Sequence, residues 1–396
     1  MSYDINRLAQ KLAPHYSHFD VSNRLLFTGH SHQAWPDVAK EGLQESFEVA
    51  ASDVDNKWET AFEKVEILRS YLRNFYDDPN GMYCLAENTH HLLVSWLSGF
   101  DLQKKNKIIT TDSEFHSMSR QLKRLKEEGL QVVTVDGHAD NIVEQIERHI
   151  DHQVSAVMLS RVYFNSGIVN QHISEIAEVT RAHNVPFLID DYHGTNVVPL
   201  SISDENIEDC YILIGGYKYL QWGEGNCFLR YPKDCSLRPA ITGWFSSFSK
   251  LDESKANERV SYTDPNQRFA SGTFDSSSQF RAAKVVSFFK KMGLTPQVLH
   301  KQYQAQIKLL RNIFLERDFN TELIALAHQQ PVENTGGFLA LQSHFARTIR
   351  AKLMEKGVFT DARGDILRFG VAPYITTHQI SKAMDELEKV LSKINP

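Results

Sequence analysis

Between about residues 80 and 230, short apolar runs alternate with longer amphipathic stretches, a pattern that predicts a parallel sheet with helical crossovers. The candidate strands are Met82 to Leu85, Lys107 to Thr110, Gln131 to Val135, Ala156 to Leu159, Phe187 to Ile189, Tyr211 to Ile214 and Cys227 to Arg230. Several are apolar throughout, as strands buried on both faces are. Ser117 to Glu128 and Ile173 to His183 read as helices between them. Beyond about residue 290 the texture becomes α+β: a helix from Pro296 to Leu315, a strand from Gly337 to Gln342, a helix from Phe345 to Lys356, a strand from Ile366 to Val371 and a helix from His378 to Ile394. Residues 231–290 are the least regular, and their Gly, Ser and Thr content suggests loops around a site. The expected organisation is an N-terminal segment over 1–50, a large α/β domain with a mostly parallel central sheet over 51–285, and a smaller α+β C-terminal domain over 286–396.

Composition narrows the class of ligand. The 396 residues carry a formal charge of -6, so nothing draws the chain generally to nucleic acid or an anionic membrane, and an anionic ligand needs a local site. Cys84, Cys210, Cys227 and Cys235 have neither zinc-site spacing nor the density of a secreted scaffold. No stretch approaches the ~20 apolar residues of a membrane span, and the first residues are polar. The expectation is a cytoplasmic enzyme acting on a small molecule, without nucleic-acid or membrane partners.

The candidate chemistry gathers at strand ends, where a mostly parallel sheet binds its ligands. Lys218 lies between the apolar run ending at Ile214 and a buried-looking Tyr219-Leu220, a placement with no ordinary packing reason. Most lysines are solvated surface charges; this one reads as a Schiff-base lysine and general base, with the Tyr217 hydroxyl beside it. Asp190 ends the previous strand. A carboxylate there suits a pyridinium N–H, and carboxylate plus lysine is the pair that pyridoxal phosphate (PLP) chemistry requires. The rival reading is that Asp190 or Asp191 caps a helix. His193 either supports the carboxylate or faces the ring, or is structural. Ala86-Glu87-Asn88-Thr89 opens a helical run whose N–H groups suit a phosphate or mark a plain N-cap. Arg368, on an apolar strand, suits a substrate α-carboxylate or a structural ion pair. Gly243-Trp244-Phe245 and Gly272-Thr273 are loop segments, either functional or simple turns with an aromatic anchor.

Together these motifs resemble the class V branch of the fold-type I PLP enzymes, most closely the kynureninases, over about residues 25–390. Gly216-Tyr217-Lys218-Tyr219-Leu220 is similar to the family's Ser-Tyr-Lys-Tyr-Leu, and Asp190-Asp191-Tyr192-His193 to its Asp-x-x-His. Gly243-Trp244-Phe245 is similar to Gly-Trp-Phe, Ser271-Gly272-Thr273 to Ser-Asn-Pro or Ala-Gly-Thr, and the stretch Leu367 to Pro373 to the terminal Ile-Arg-Val-Ala-Pro. The resemblance implies the fold-type I PLP-dependent transferase fold, a homodimer with shared active sites, and an amino-acid substrate. It implies Ala86 and Glu87 at the cofactor phosphate, Phe115 over the ring face, and Trp244, Gly272 and Thr273 at the phosphate across the dimer. It also implies Asp190 and His193 at the ring and Arg368 on the substrate carboxylate. The family's N-terminal Gly-Asn-Ser-x-Gly appears as Gly29-His30-Ser31-His32-Gln33, which places His30 and Ser31 at the substrate.

The expected reaction is kynureninase-like hydrolysis of a Cβ–Cγ bond, with a class V aminotransferase, a C–S lyase or an epimerase as the alternative. A persulfide-forming desulfurase needs a thiolate near the small domain, and no cysteine lies beyond Cys235. A non-catalytic relative would have no reason to keep Lys218, Asp190 and Arg368. Gly29-His30-Ser31-His32 and His90-His91 lack a third ligand at metal-site spacing, so no metal is expected.

Overall fold

The computed structural model describes residues 3–250 and 259–394. The helix Ile5–Leu12 is followed by the short strand β1 (Leu25–Leu26) and two long helices, Val38–Asp53 and Lys57–Phe75, which the sequence reading left unassigned. The strands β2 (Met82–Ala86), β3 (Lys107–Thr111), β4 (Gln131–Val135), β5 (Val154–Ser160), β6 (Phe187–Asp190), β7 (Tyr211–Gly215) and β8 (Cys227–Tyr231) make one sheet in the order β2-β8-β7-β6-β5-β3-β4. β3 to β7 pair in parallel, as the alternation predicted, with the helices His116–Glu127, Ile142–His149 and Ile173–Ala182 between successive strands. β5 is buried at every position, while the edge strand β4 leaves Gln131 and Thr134 exposed.

β8 departs from the expected rim geometry. It is antiparallel to both β2 and β7, so its first residue, Cys227, lies opposite Gly215 at the ligand-binding rim. The residues after β8 lead away from that rim.

A second sheet, antiparallel, has the order β12-β13-β10-β9, from β9 (Ala325–Leu326), β10 (Phe338–Gln342), β12 (Asp361–Arg363) and β13 (Ile366–Gly370). The helices Pro296–Glu316, Ala346–Glu355 and Thr377–Leu391 accompany it. Thr295 caps the first ahead of Pro296, and Thr376 and Gln379 form a reciprocal capping box on the last. The short strand β11 (Val358–Phe359) pairs in parallel with β1, so the start of the chain is bound to this second unit. A continuous apolar core joins both units, with Val157 and Ile212 of the central sheet and Leu341 and Phe369 of the other in one cluster.

One expectation fails in the middle region. Ser277–Met292 is a 16-residue helix that begins within the stretch read as irregular and runs just past its end. The run Ser276-Ser277-Ser278 hides its start, but its buried face, including Phe280, Val285, Phe288 and Phe289, packs on the Val38–Asp53 and Lys57–Phe75 helices. Among the described residues, no helix is long and apolar enough to cross a membrane.

Candidate active site

Strand alternation separates the two adjacent aspartates at the end of β6. Asp191 is fully buried behind the rim, where Arg161 donates to its two oxygens at 2.6 and 3.1 Å and the Tyr76 hydroxyl donates at 2.7 Å. Asp190 lines the cavity instead and accepts from the Tyr192 N–H at 3.0 Å. Burial pushes its carboxyl above the usual range, against the pull of that N–H and of Lys218.

Lys218 follows β7 through Gly215 and Gly216. A Cβ at Gly215 would meet the Tyr192 ring at 1.8 Å, so only glycine lets the lysine turn pass that ring. The lysine is 6 % exposed, with Nζ 2.6 Å from His193 Nε2 and 4.4 Å from the Tyr192 ring centroid. Burial drives its pKa down, and the attraction of Asp190 offsets this only in part. The His193 ring is likewise held neutral, by burial and then by the Lys218 charge. Two nitrogen bases therefore face one cavity of about 300 Å³.

Arg368 and Asp361 of the second sheet, like His30, are not on the lining of the Lys218 cavity, but both charges act on Lys218. Register sets Asp361 on β12 directly opposite Arg368 on β13, and the two side chains form an ion pair. Arg368 Nη1 also donates to the Phe164 carbonyl at 2.6 Å, while Nε is buried without a partner among the described residues. The arginine therefore forms a structural ion pair and keeps one buried N–H unpaired among the described residues. His30 lies alongside, fully buried, 3.7 Å from Asp361 and with its ring 4.8 Å from that of Phe338. Burial, then the Arg368 charge, lowers its pKa to about 3. Although burial raises the Asp361 carboxyl, His30 and Arg368 hold it well below the usual range.

Other expected residues divide by position. Phe115, Tyr217, His193, Lys218, Asp190 and Glu87 line the Lys218 cavity. Phe115 presents its ring 5.4 Å from Lys218 Nζ, and Tyr217 stacks on His32 at 4.7 Å. Asn88 caps the Thr89–Leu97 helix by accepting from the His91 N–H, so the plain N-cap reading holds there without excluding a ligand. Ala86, Gly272 and Thr273 line a neighbouring cavity that Glu87 shares with the first. Trp244 is 44 % exposed and packs on Phe245 and Phe248. Ser31 does not enter the Lys218 cavity; its hydroxyl pairs with His32 Nδ1 at 3.1 Å.

Sequence reasoning missed Ser160, Phe164, Glu224 and Cys227 on the cavity lining, and Asp361 beside Arg368. Ser160 ends β5 beside Asp190, so the strand-end rule contained that signal. Glu114 accepts from the Ser160 N–H and hydroxyl and from Thr111, at 3.1, 2.6 and 2.6 Å.

The residues fit PLP. Asp190 has one hydrogen bond among the described residues and an elevated pKa, the state of a half-buried carboxyl facing the cavity that a protonated ring nitrogen would satisfy. Lys218 has a neutral, nucleophilic amine within its reach, and the unpartnered Nδ1 of His193 leaves a polar atom for a ligand.

Comparison with known proteins follows the same line. Residues 50–364 match the family described as "Aminotransferase class-V". The mitochondrial cysteine desulfurase of Eremothecium gossypii is 26 % identical over 191 residues, which cover 47 % of this chain and 38 % of that protein. The matched stretch is thus well under half of that relative. The cysteine desulfurase of Thermococcus onnurineus NA1 superposes with a TM-score of 0.79 at 15 % identity, covering 100 % of both chains. C-DES, with glycine covalently linked to its PLP cofactor, superposes at 0.77 and 18 % identity over 96 % of this chain and 98 % of its own. In its complex with cysteine persulfide C-DES is called a cystine C–S lyase; there the TM-score is 0.77 at 16 % identity, over 95 % of this chain and 99 % of its own.

Proposed function

This chain belongs to the class-V aminotransferase family and is a PLP-dependent enzyme; on that premise we propose that it hydrolyses the Cβ–Cγ bond of a γ-keto α-amino acid, a reaction of kynureninase type that releases alanine. The observation that carries this reading is the 2.6 Å pairing of Lys218 with His193. Transamination also consumes a water, at the α-carbon, so the two reactions differ in where the water is activated. Hydrolysis at the γ-carbonyl needs that water beyond the β-carbon, and His193 sets a ring nitrogen beside Lys218 on the same cavity to receive its proton.

PLP, when bound, withdraws electrons from the substrate's α-carbon. Lys218 would hold it through its aldehyde and, once freed, take the α-proton on Nζ. Asp190 would pair with its ring nitrogen, and Phe115 would pack against the ring. Ala86 and Glu87 mark the helix start that holds the phosphate, with Trp244, Gly272 and Thr273 acting across a homodimer interface. Arg368 Nε receives the substrate carboxylate, Tyr217 closes the entrance with His32, and His193 accepts the proton of the attacking water.

The thiols argue against a protein persulfide. All four are buried. Of these, Cys227 is the one on the Lys218 cavity, and burial pushes its thiol up to about 11, far from a thiolate at neutrality. The same observation leaves a C–S lyase without a protein persulfide as the second reading. The test gives PLP-loaded enzyme kynurenine, cysteine, and glutamate with a keto-acid acceptor, and scores alanine, sulfide and new amino acid separately. Alanine from the γ-keto substrate without sulfide from cysteine is expected. Sulfide release would move the assignment to the second reading, and transamination alone would end the first.

A further inference from the structure

We propose that the mouth of the active site carries a cationic subsite, formed by Arg347, Arg350 and Arg363, that receives an anionic group at the far end of the substrate's side chain. The inference rests on the β-cleavage reading and names its substrate class: a γ-keto amino acid whose acyl portion ends in a carboxylate or phosphate.

Arg347 and Arg350 are three residues apart on the helix Ala346–Glu355, hence on one face of it, and the β12–β13 turn brings Arg363 alongside. These guanidinium groups share a cleft with Phe164, His116 and Asp361. Phe164 is also a wall of the Lys218 cavity, and its carbonyl holds Arg368. The cleft and the catalytic cavity therefore share Phe164 as a lining residue.

Three arginines and one carboxylate line this cleft. Asp361 is the one carboxylate on its lining, and it is already committed to Arg368, with His30 and Arg363 both at 3.7 Å. Among the described residues no carboxylate lies within ion-pair distance of Arg347 or Arg350. A concave surface with uncompensated positive charge, on a chain whose formal charge is -6, focuses field onto whatever enters. Planar guanidinium forks match the oxygens of carboxylate and phosphate.

A second observation places the other end of the ligand. Arg368 is 3 % exposed, and its unpartnered Nε is the donor left for an α-carboxylate. A substrate held there, with its amino group at Lys218, directs its side chain past Phe164 towards the three arginines. Hydrolysis adds water across the Cβ–Cγ bond. The β-carbon gains a proton and leaves as alanine. The acyl carbon takes the hydroxyl and leaves as a second acid group, so a carboxylate-ended substrate yields a dicarboxylate.

The experiment uses PLP-loaded enzyme and three matched γ-keto amino acids, ended in a carboxylate, its methyl ester, or a phosphate. Alanine release gives kcat/KM, and the change in visible cofactor absorbance gives binding. The unaltered enzyme should prefer the acid to the ester by about tenfold or more, as expected for a charge-assisted contact. The preference should shrink with added salt and approach unity in the Arg347→Ala/Arg350→Ala double variant, whose cofactor absorbance shows whether the fold is kept. The phosphate probe reports which anion fits better. Equal use of acid and ester by the unaltered enzyme, or a preference that survives in the double variant, overturns the subsite and leaves the reaction standing. If no probe yields alanine or perturbs the cofactor, the β-cleavage reading itself has failed.

Discussion

The side chains of Asp190 and Asp191 leave one strand end on opposite faces, and their surroundings give them different chemistry. Asp191 is satisfied by Arg161 and Tyr76, whereas Asp190 has a single N–H donor and a pKa raised by burial. A half-buried carboxyl so poorly matched is costly until a partner arrives, which is why Asp190→Asn should lower cofactor affinity and kcat together; a variant with unchanged kcat would remove Asp190 from the ring nitrogen. Lys218→Ala should abolish turnover and the borohydride-fixed attachment of cofactor while leaving non-covalent binding through the phosphate. Glu114 offers a test of electrostatics by pH. Burial raises its carboxyl from 4.5 to about 7, so the folded state holds this proton more tightly than the unfolded chain. Its contribution to stability is full below the unfolded value and lost as pH rises through about 7, at most about 3 kcal/mol. Glu114→Gln should flatten that part of the stability profile; an identical slope in both proteins would show that the group does not titrate there.

At the level of elements, the sequence disclosed what local pattern encodes and concealed what distant pairing creates. Apart from the half-exposed edge strand β4, the strands from Met82 to Tyr231 are legible because both faces are covered and the runs are apolar, and Lys218 and Asp190 stand out against them. Arg368 was legible for the same reason. Its neutralisation by Asp361 was not, because it depends on the register of the β12–β13 hairpin. His30 reached the site by a longer route: β1 pairs with β11, and Thr28 bridges to Gly370. A Cβ at Gly370 would lie 2.1 Å from His30 Nδ1 and 2.6 Å from its backbone nitrogen, too close for side-chain motion alone to relieve. Gly370→Ala should therefore displace the His30 segment, with a loss of about 1–3 kcal/mol in stability and a several-fold rise in KM, while cofactor absorbance persists. A normal KM would separate His30 from substrate binding.

For the whole molecule, the proposed homodimer is open to direct measurement. Light scattering should give about twice the 45.3 kDa chain mass, and Trp244→Ala should weaken cofactor retention although Trp244 lies outside the Lys218 cavity of its own chain. A monomeric, fully active protein would exclude shared sites. The union of β1 with β11 also constrains how the protein is made. The ribosome releases Leu25 long before its partner Val358 exists, so the nascent chain carries an unsatisfied apolar strand through nearly all of translation. The sheet that carries Asp190 and leads into Lys218 is complete by Tyr231, and the strand bearing Arg368 comes much later. A chain stalled before Val358 should therefore retain coenzyme yet fail to discriminate among amino acids, and a chaperone that shields its leading segment should raise the yield of finished enzyme.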